Sequence, residues 1–300
     1  MLNTQAQLYL CLLAGVILGK LKLLSDTGRA ELTDLVMNVT LPATIISSFV
    51  SQTFSAELMG QSLAAFIGAA LLQAACVILG PVLFPEKRFA PEDRKIFRYS
   101  TINTNAAFIG LPIISGIYGD IGALVTSVAL IPLRVTLWTA GISIFVEEKD
   151  LKKKIRTIAL HPCMVAVYTG FLLMLLPVEL PQFLRRTLSL MGGGTTFLSM
   201  LIVGYVVSQM DPRHFVTPPV LYYCFLRLIV IPGTVLLAMR LLSVDRLVTA
   251  VIVILAGVPA GSFTAMLAAK YHCNQQLAAK VILASTILSV VTLPLLCLFL

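Results

Sequence analysis

Charged residues are scarce in this chain of 300 residues. Only 12% of the residues are Asp, Glu, Lys or Arg, whereas 58% are hydrophobic, and the mean hydropathy is +0.94. One soluble core of this length cannot bury so much apolar surface. A soluble globular fold is therefore excluded, and we expect an all-α integral membrane protein with the lipid bilayer as its solvent.

The sequence motifs of common enzyme classes are also missing. The chain has no G-x-x-x-x-G-K-[ST] loop for a nucleotide, no H-E-x-x-H and no G-x-S-x-G. Its six cysteines fall singly within apolar runs, without the paired spacing of a zinc site or a redox pair. We therefore expect neither an enzyme nor an ATP-driven pump, and neither a cofactor nor a bound metal.

Ten apolar runs are long enough to cross a hydrocarbon core of about 30 Å, which needs about 20 helical residues. Charges, prolines or glycines bound each run. We number them spans one to ten, and they cover residues 5–24, 28–51, 58–84, 96–118, 121–146, 157–177, 182–208, 216–241, 244–270 and 275–300.

Positive charge is unevenly distributed between the two sets of loops that these spans define. Of the 22 Lys and Arg residues, 15 fall on one side of the membrane, four on the other and three within spans. Cytoplasmic loops carry such an excess. The formal charge of +8 thus indicates orientation rather than a nucleic-acid partner. We expect a multi-pass protein of the cell (inner) membrane with both termini on the non-cytoplasmic side.

The two halves of the chain echo each other. Pro81 and Pro232 are 151 residues apart, and Gly110-Leu111-Pro112 and Gly257-Val258-Pro259 are 147 apart. If each half holds five spans, an odd number, the second half enters the membrane inverted.

This repeat predicts the division of the chain. A first five-helix repeat covers residues 1–148, a short basic cytoplasmic linker covers 149–156, and a second, inverted five-helix repeat covers 157–300.

The Gly-x-Pro triplets fall near the middle of spans four and nine. Proline removes a backbone donor and clashes with the preceding helical turn. We therefore expect both helices to break there, so that half-helix N-termini offer partial positive charge to an anion. A simple kink at each proline is the alternative.

One stretch resembles the signature of a known family. NTNAAFIGLPIISGIYGDIGAL at 103–124 is similar to the signature of the auxin efflux carrier family, whose Asn, Gly-x-Pro and Tyr-Gly positions match Asn105, Gly110, Pro112, Tyr118 and Gly119.

Further matches to the same family follow in order along nearly the whole chain. They are VTLPATIISSF at 39–49, HPCMVAVYTGFLL at 161–173, FLRLIVIP at 225–232 and LAGVPAGSFTAMLAAKYH at 255–272. Span seven departs from the pattern, since Gly193 and Phe197 stand where many relatives have a polar residue and a proline.

The resemblance implies two inverted five-helix repeats whose helices four and nine are broken and cross beside the substrate, near the midplane. Members are secondary carriers of organic acids, and the short linker resembles that of compact bacterial members. We therefore expect a secondary transporter that moves a small organic anion, a mono- or dicarboxylate, by alternating access. A channel or a membrane sensor with the same broken helices is the alternative. The family also favours a homodimer, and a coupling ion, H⁺ or Na⁺, stays open.

Candidate substrate-binding residues lie near the two breaks, with one intramembrane cation added: Asn103, Asn105, Gly110, Pro112, Arg134, Gly257, Pro259 and Ser262. An Arg in mid-membrane costs about 2.5–3.5 kcal/mol on insertion scales, so Arg134 needs a partner or a wet cavity. It holds a substrate carboxylate, or else it is a structural residue that forms a salt bridge or faces a cavity. Pro42, Gly193 and Arg227 are assigned to helix breaks or gating.

Overall fold

The computed structural model describes residues 2–51, 55–141, 143–145, 159–160, 162–176, 180–209, 216–261, 263–271 and 273–300. The predicted linker at 149–156 and the candidate Ser262 lie outside the described residues. Within the described ranges the regular structure is helical, and two residues, Thr104 and Ala260, form an isolated β-bridge.

The described residues form α-helices and short π-helical segments. In chain order they are α1 (Leu2–Lys20), α2 (Asp26–Leu35), π1 (Val36–Thr40), α3 (Leu41–Val50), α4 (Ala56–Leu83), α5 (Pro91–Ile102), π2 (Ala106–Gly110), α6 (Leu111–Thr136), π3 (Leu137–Gly141), α7 (Pro162–Leu175), α8 (Gln182–Ser208), α9 (Pro218–Phe225), π4 (Leu226–Val230), α10 (Ile231–Leu241), α11 (Arg246–Gly257), α12 (Phe263–Lys270) and α13 (Gln275–Leu298).

Six helical runs of the described residues are long and apolar enough to cross a membrane: Asp26–Val50, Ala56–Leu83, Ala106–Thr136, Gln182–Tyr205, Pro218–Leu241 and Gln275–Leu298. Three shorter apolar helices accompany them: Leu10–Lys20, Pro162–Leu173 and Arg246–Gly257. The all-helical prediction is confirmed at this level, whereas ten spans in two inverted repeats remain a prediction.

Gly119 divides the long helix α6 into two. Its backbone has φ 64° and ψ −147°, a conformation outside the helical region that glycine adopts without steric cost. The chain turns between Tyr118 and Asp120, which is where the sequence separates span four from span five.

Three π-helical segments each end two residues before a proline. Segment π1 ends before Pro42, π2 before Pro112 and π4 before Pro232. Proline cannot donate to the helix, and its ring excludes the carbonyl four residues earlier. In a π-helical turn each amide bonds to the carbonyl five residues earlier. The hydrogen-bond pattern has therefore already shifted from that of an α-helix before the proline, and this shift relieves the clash.

The chain forms two compact units, each built from segments of both predicted halves. Unit 1 comprises Met1–Ala64, Ala107–Val128 and Ile155–Met210. Unit 2 comprises Ala65–Ala106, Ala129–Lys154 and Asp211–Leu300. A compact unit in space and a repeat in sequence are different divisions, so the predicted repeat boundaries stay untested.

Unit 1 owes its tightest packing to glycines. A Cβ atom on Gly15 of α1 would overlap the carbonyl oxygen of Leu201 in α8, and one on Gly204 of α8 would overlap the carbonyl oxygen of Leu12. The two helices therefore pack backbone to backbone, as small residues permit in membrane proteins.

Unit 2 surrounds a helix that is buried on all sides. Every residue of α11 from Leu247 to Gly257 is buried, which fits its apolar sequence, because a helix that is hydrophobic all round belongs in an interior. Aromatic side chains at the end of α4 and on α5 and α9 pack together in unit 2, with the Phe84 and Phe97 rings stacked at 5.3 Å between centroids.

Candidate functional site: a crossing of two interrupted helices

Spans four and nine are both interrupted within unit 2. Helix α5 ends at Ile102, and Asn103 is extended with φ −87° and ψ 105°. Helix α11 ends at Gly257, and Val258 is extended with φ −69° and ψ 149°. Helical structure resumes at Ala106 and at Phe263.

The two extended segments pair with each other. The amide of Asn105 donates to the carbonyl of Pro259 at 2.8 Å, and the amide of Gly261 donates to the carbonyl of Asn103 at 2.9 Å. Thr104 and Ala260 are thereby bridged in antiparallel fashion. We call residues 103–105 and 258–261 the crossing.

The interruption of span four does not lie at Pro112, where the sequence pattern predicts it. It lies at Asn103–Asn105, whereas Gly110 and Pro112 are buried at the junction of π2 and α6. The π-helical turn accommodates Pro112 without a break, and pairing with the other chain segment extends the backbone at Asn103. In span nine, by contrast, Pro259 lies within the interruption itself.

The Asn103 side chain fastens the crossing. It is 4% exposed, and its Nδ2 donates to the carbonyl of Gly261 and to the Thr264 hydroxyl, both at 3.3 Å. A Cβ atom on Gly261 would lie 2.6 Å from Asn103 Oδ1. These contacts support a structural role for Asn103, and its assignment as a substrate ligand stays a prediction.

Span eight supplies donors to the helix ends that the interruptions create. The Tyr223 hydroxyl donates to the carbonyl of Ser100 at 2.9 Å, near the end of α5. Arg227 donates from Nε to the carbonyl of Val258 and from Nη2 to that of Leu255, both at 3.1 Å, at the end of α11. Arg227 is 1% exposed and faces the interruption of span nine.

A third helix of unit 2 also contributes to the crossing. The Ala260 amide donates to the Ser285 hydroxyl of α13 at 3.1 Å, and that hydroxyl bonds back to the carbonyl of Val281. Gly257 permits close packing here, since a Cβ atom on it would lie 2.7 Å from Leu296 Cδ2 of the same helix as Ser285.

Arg134 is a cation whose two terminal nitrogens have no partner among the described residues, and Arg98 Nε is a further buried guanidinium nitrogen without one. The Nη1 and Nη2 atoms of Arg134 are buried, and neither has an acceptor within the described part of the chain. A buried polar atom without a hydrogen bond is destabilising, and more so when it carries charge. At the crossing, the buried Thr104 Oγ1 atom likewise lacks a partner among the described residues, and the Asn105 side chain is half-buried.

The candidates of spans two and seven belong to unit 1. Pro42 is the second residue of α3, just after π1, and Gly193 is exposed on α8 with open space where a Cβ would be. Between these helices the Thr44 hydroxyl lies 2.7 Å from that of Thr195 and 3.0 Å from the carbonyl of Gly192. Helix α8 is continuous through Gly192–Gly194, so no break opens there.

Tyr223 and Ser285 were not among the candidates from the sequence. Tyr223 precedes Arg227 by four residues, the spacing that puts two side chains on one helix face. That spacing is the one signal that could have drawn attention to it. Ser285 has no comparable signal, since only the folded chain brings it to Ala260.

The helices and the crossing define a multi-pass helical membrane protein. The chain belongs to the membrane transport protein family, whose sequence profile matches residues 1–155 and 147–297. The resemblance to auxin efflux carriers that the sequence motifs indicate is thereby confirmed. A search of curated proteins finds no match to this chain.

Proposed function

We propose that this membrane transporter is a secondary carrier of a small organic anion, a mono- or dicarboxylate, which it moves by alternating access. Arg134 carries the proposal. Its two terminal nitrogens are buried and have no acceptor among the described residues, so an incoming carboxylate supplies the missing partner.

The chemistry of guanidinium suits this role. Its planar donors match the two oxygens of a carboxylate, and charge-assisted bonds of this kind are about twice as strong as neutral ones. A second buried arginine of unit 2, Arg227, is already engaged, because it donates to the carbonyls of Val258 and Leu255. We assign the ligand to Arg134, because both of its terminal nitrogens lack an acceptor among the described residues.

The interrupted helices support an anion site in the same unit. The first amides of a helix have no acceptor within it and carry partial positive charge. Two such helix starts, at Ala106 and Phe263, follow the crossing. Asn105 precedes the first of them, and its half-buried amide is a further donor.

Several features of the sequence prediction complete the proposal. The two inverted repeats at 1–148 and 157–300 give the symmetry that alternating access uses. The protein belongs to the cell (inner) membrane, with both termini outside the cytoplasm, and functions as a homodimer. Among the described residues no Asp or Glu side chain is buried, so a carboxylate proton relay has no support. A membrane potential of 100 mV contributes about 2.3 kcal/mol per charge and drives anion exit.

Counterflow in proteoliposomes tests the proposal. Purified protein is reconstituted with internal malonate or benzoate, and uptake of the labelled acid is followed for the wild type, Arg134→Gln and Arg134→Lys. Arg186→Gln is the matched control, because Arg186 is exposed and distant in sequence from the site. We expect saturable exchange that Arg134→Gln abolishes, Arg134→Lys retains in part and Arg186→Gln leaves intact.

Other outcomes assign a different function. Flux that rises linearly with concentration indicates a channel, and binding without flux indicates a sensor. Equal exchange by Arg134→Gln and the wild type contradicts the role of Arg134. The absence of exchange with either acid contradicts the proposed substrate class.

A further inference from the structure

Two helix C-termini meet at the crossing, and both leave carbonyl groups without helical donors. Helix α5 ends at Ile102 and helix α11 at Gly257. The last four carbonyls of any helix lack an amide partner within it, and together they carry about half a negative charge. An interior that holds two such ends needs donors from elsewhere.

The two ends are capped in the same pattern. In each, the first extended residue donates back four positions, Asn103 to Tyr99 and Val258 to Ile254. The carbonyl that follows then accepts from span eight in both cases. Ser100 accepts from Tyr223, and Leu255 accepts from Arg227.

Both donors lie close together on span eight, Tyr223 near the end of α9 and Arg227 in π4. Tyr223 and Arg227 are four residues apart, about one turn, and their side chains are 0% and 1% exposed. The same stretch of span eight therefore holds the ends of both interrupted helices. Arg227 has a second bond, to Val258 of the crossing, at 3.1 Å.

The charge of Arg227 has a consequence for any anion nearby. Two helix C-termini repel an anion, and in a low-dielectric interior such repulsion is strong. A guanidinium bound to the end of α11 offsets that negative end. The positive helix starts at Ala106 and Phe263 then face less opposing negative charge.

We propose that Tyr223 and Arg227 form a clamp, the span-eight clamp, whose two residues position both interrupted helices at the crossing and are not themselves substrate ligands. The consequence for anion binding rests on the proposed function. The positioning itself does not, because it concerns hydrogen bonds within the chain.

Hydrogen exchange tests the positioning without any ligand. Full-length protein in lipid nanodiscs is compared as wild type, Tyr223→Phe, Arg227→Met and Arg227→Lys, and exchange is measured by mass spectrometry in peptides covering 99–106 and 255–261. We expect Tyr223→Phe to speed exchange in 99–106 about fivefold, the factor that one neutral hydrogen bond represents. Arg227→Met should speed exchange in 255–261 about tenfold or more, because hydrogen bonds from a charged donor are stronger, and Arg227→Lys should restore part of the protection.

Tyr222→Phe is the matched control. The Tyr222 hydroxyl also donates to a carbonyl at the end of a helix, that of Leu83 at 3.1 Å, but not at the crossing. Its loss should leave exchange in 99–106 and 255–261 unchanged. Peptides covering 192–204 in unit 1 report whether a variant is loosened throughout.

Three results would overturn the clamp. They are unchanged exchange at the crossing in Tyr223→Phe and Arg227→Met, equal acceleration in 192–204, and an equal effect of Tyr222→Phe. Counterflow of malonate and benzoate by the same variants separates this inference from the proposed function. A clamp that shapes an anion site raises KM several-fold in Tyr223→Phe with little change in kcat. If neither acid is exchanged by the wild type, the proposed function fails and hydrogen exchange alone decides the clamp.

Discussion

Different kinds of contact stabilise the interior of unit 1 and the interior of unit 2. In unit 1, helices α1 and α8 approach so closely that glycines are required at Gly15 and Gly204. In unit 2, two helices are interrupted, and hydrogen bonds satisfy the backbone groups that the interruptions free. Their side-chain partners are Asn103, Tyr223, Arg227 and Ser285.

The difference indicates where ligand chemistry belongs. Helices α1 and α8 of unit 1 are continuous and satisfy their own backbone, so the contact between them needs only good packing. Interrupted helices leave donors and acceptors that only other polar groups can satisfy. Unit 2 contains both the crossing and the Arg134 guanidinium, whose terminal nitrogens have no acceptor among the described residues. We therefore look for the ligand in unit 2.

The largest effect is expected from a substitution that disrupts the packing of unit 1. In Gly204→Ala the added Cβ overlaps the Leu12 carbonyl oxygen, a backbone atom that cannot rotate away. Helices α1 and α8 must separate along their contact, and we expect a loss of about 3 kcal/mol in the free energy of unfolding. Thermal unfolding of the purified protein measures the change.

Gly194→Ala on the same helix is the control for this prediction. Its Cβ would meet only Leu198 Cδ1, at 3.9 Å, and alanine stabilises a helix by up to about 1 kcal/mol relative to glycine. The wild-type midpoint or a slightly higher one is expected. A Gly204→Ala protein as stable as Gly194→Ala would mean that the two helices are not in backbone contact.

A smaller effect is expected when the crossing of unit 2 is disturbed by the same kind of change. In Gly261→Ala the new Cβ displaces Asn103 Oδ1, which is the end of a side chain and can move. The movement sacrifices the bonds from Asn103 to the Gly261 carbonyl and the Thr264 hydroxyl. We expect a loss of about 2 kcal/mol in the free energy of unfolding, again measured by thermal unfolding.

A double-mutant cycle sharpens this prediction. Asn103→Ala removes the atom that the new Cβ at position 261 would displace, so the double variant should be more stable than the sum of the single effects by about 1 kcal/mol. Strict additivity would show that Asn103 and Gly261 do not contact each other.

The features that depend on local chemistry could be predicted from the sequence. Apolar runs predicted the helices, and the cost of an intramembrane cation singled out Arg134 as a residue that needs a partner. Pro42 and Pro112 were expected to distort their helices, and both follow a π-helical turn, although that turn accommodates them without a break.

Features that depend on partners distant in sequence could not be predicted in the same way. The extended backbone at Asn103 is set by pairing with Pro259 and Gly261, about 150 residues away. No glycine or proline marks that position, so the pattern pointed to Pro112 instead. Tyr223 looks like an ordinary aromatic residue of an apolar run until the fold brings its hydroxyl to the Ser100 carbonyl.

The smallest expected effect concerns a polar contact of unit 1, whose contribution to the free energy of unfolding is compared with that of the crossing in unit 2. Thr44→Val removes a half-buried hydroxyl that lies 2.7 Å from the Thr195 hydroxyl and within donating distance of two carbonyls, that of Gly192 across the contact at 3.0 Å and that of Thr40 at 2.9 Å. Hydrogen bonds between membrane helices contribute about 0.6 kcal/mol on average, and the Thr195 hydroxyl can turn to an acceptor on its own helix. We therefore expect the free energy of unfolding to fall by about 1 kcal/mol or less, well below the effect of Gly261→Ala.

Thr234→Val is the control, because that hydroxyl is exposed and bonds to Ile231 of its own helix at 2.8 Å. A loss in Thr44→Val as large as in Gly261→Ala would mean that unit 1, like unit 2, depends on its polar contacts, and the contrast between the two units would no longer hold.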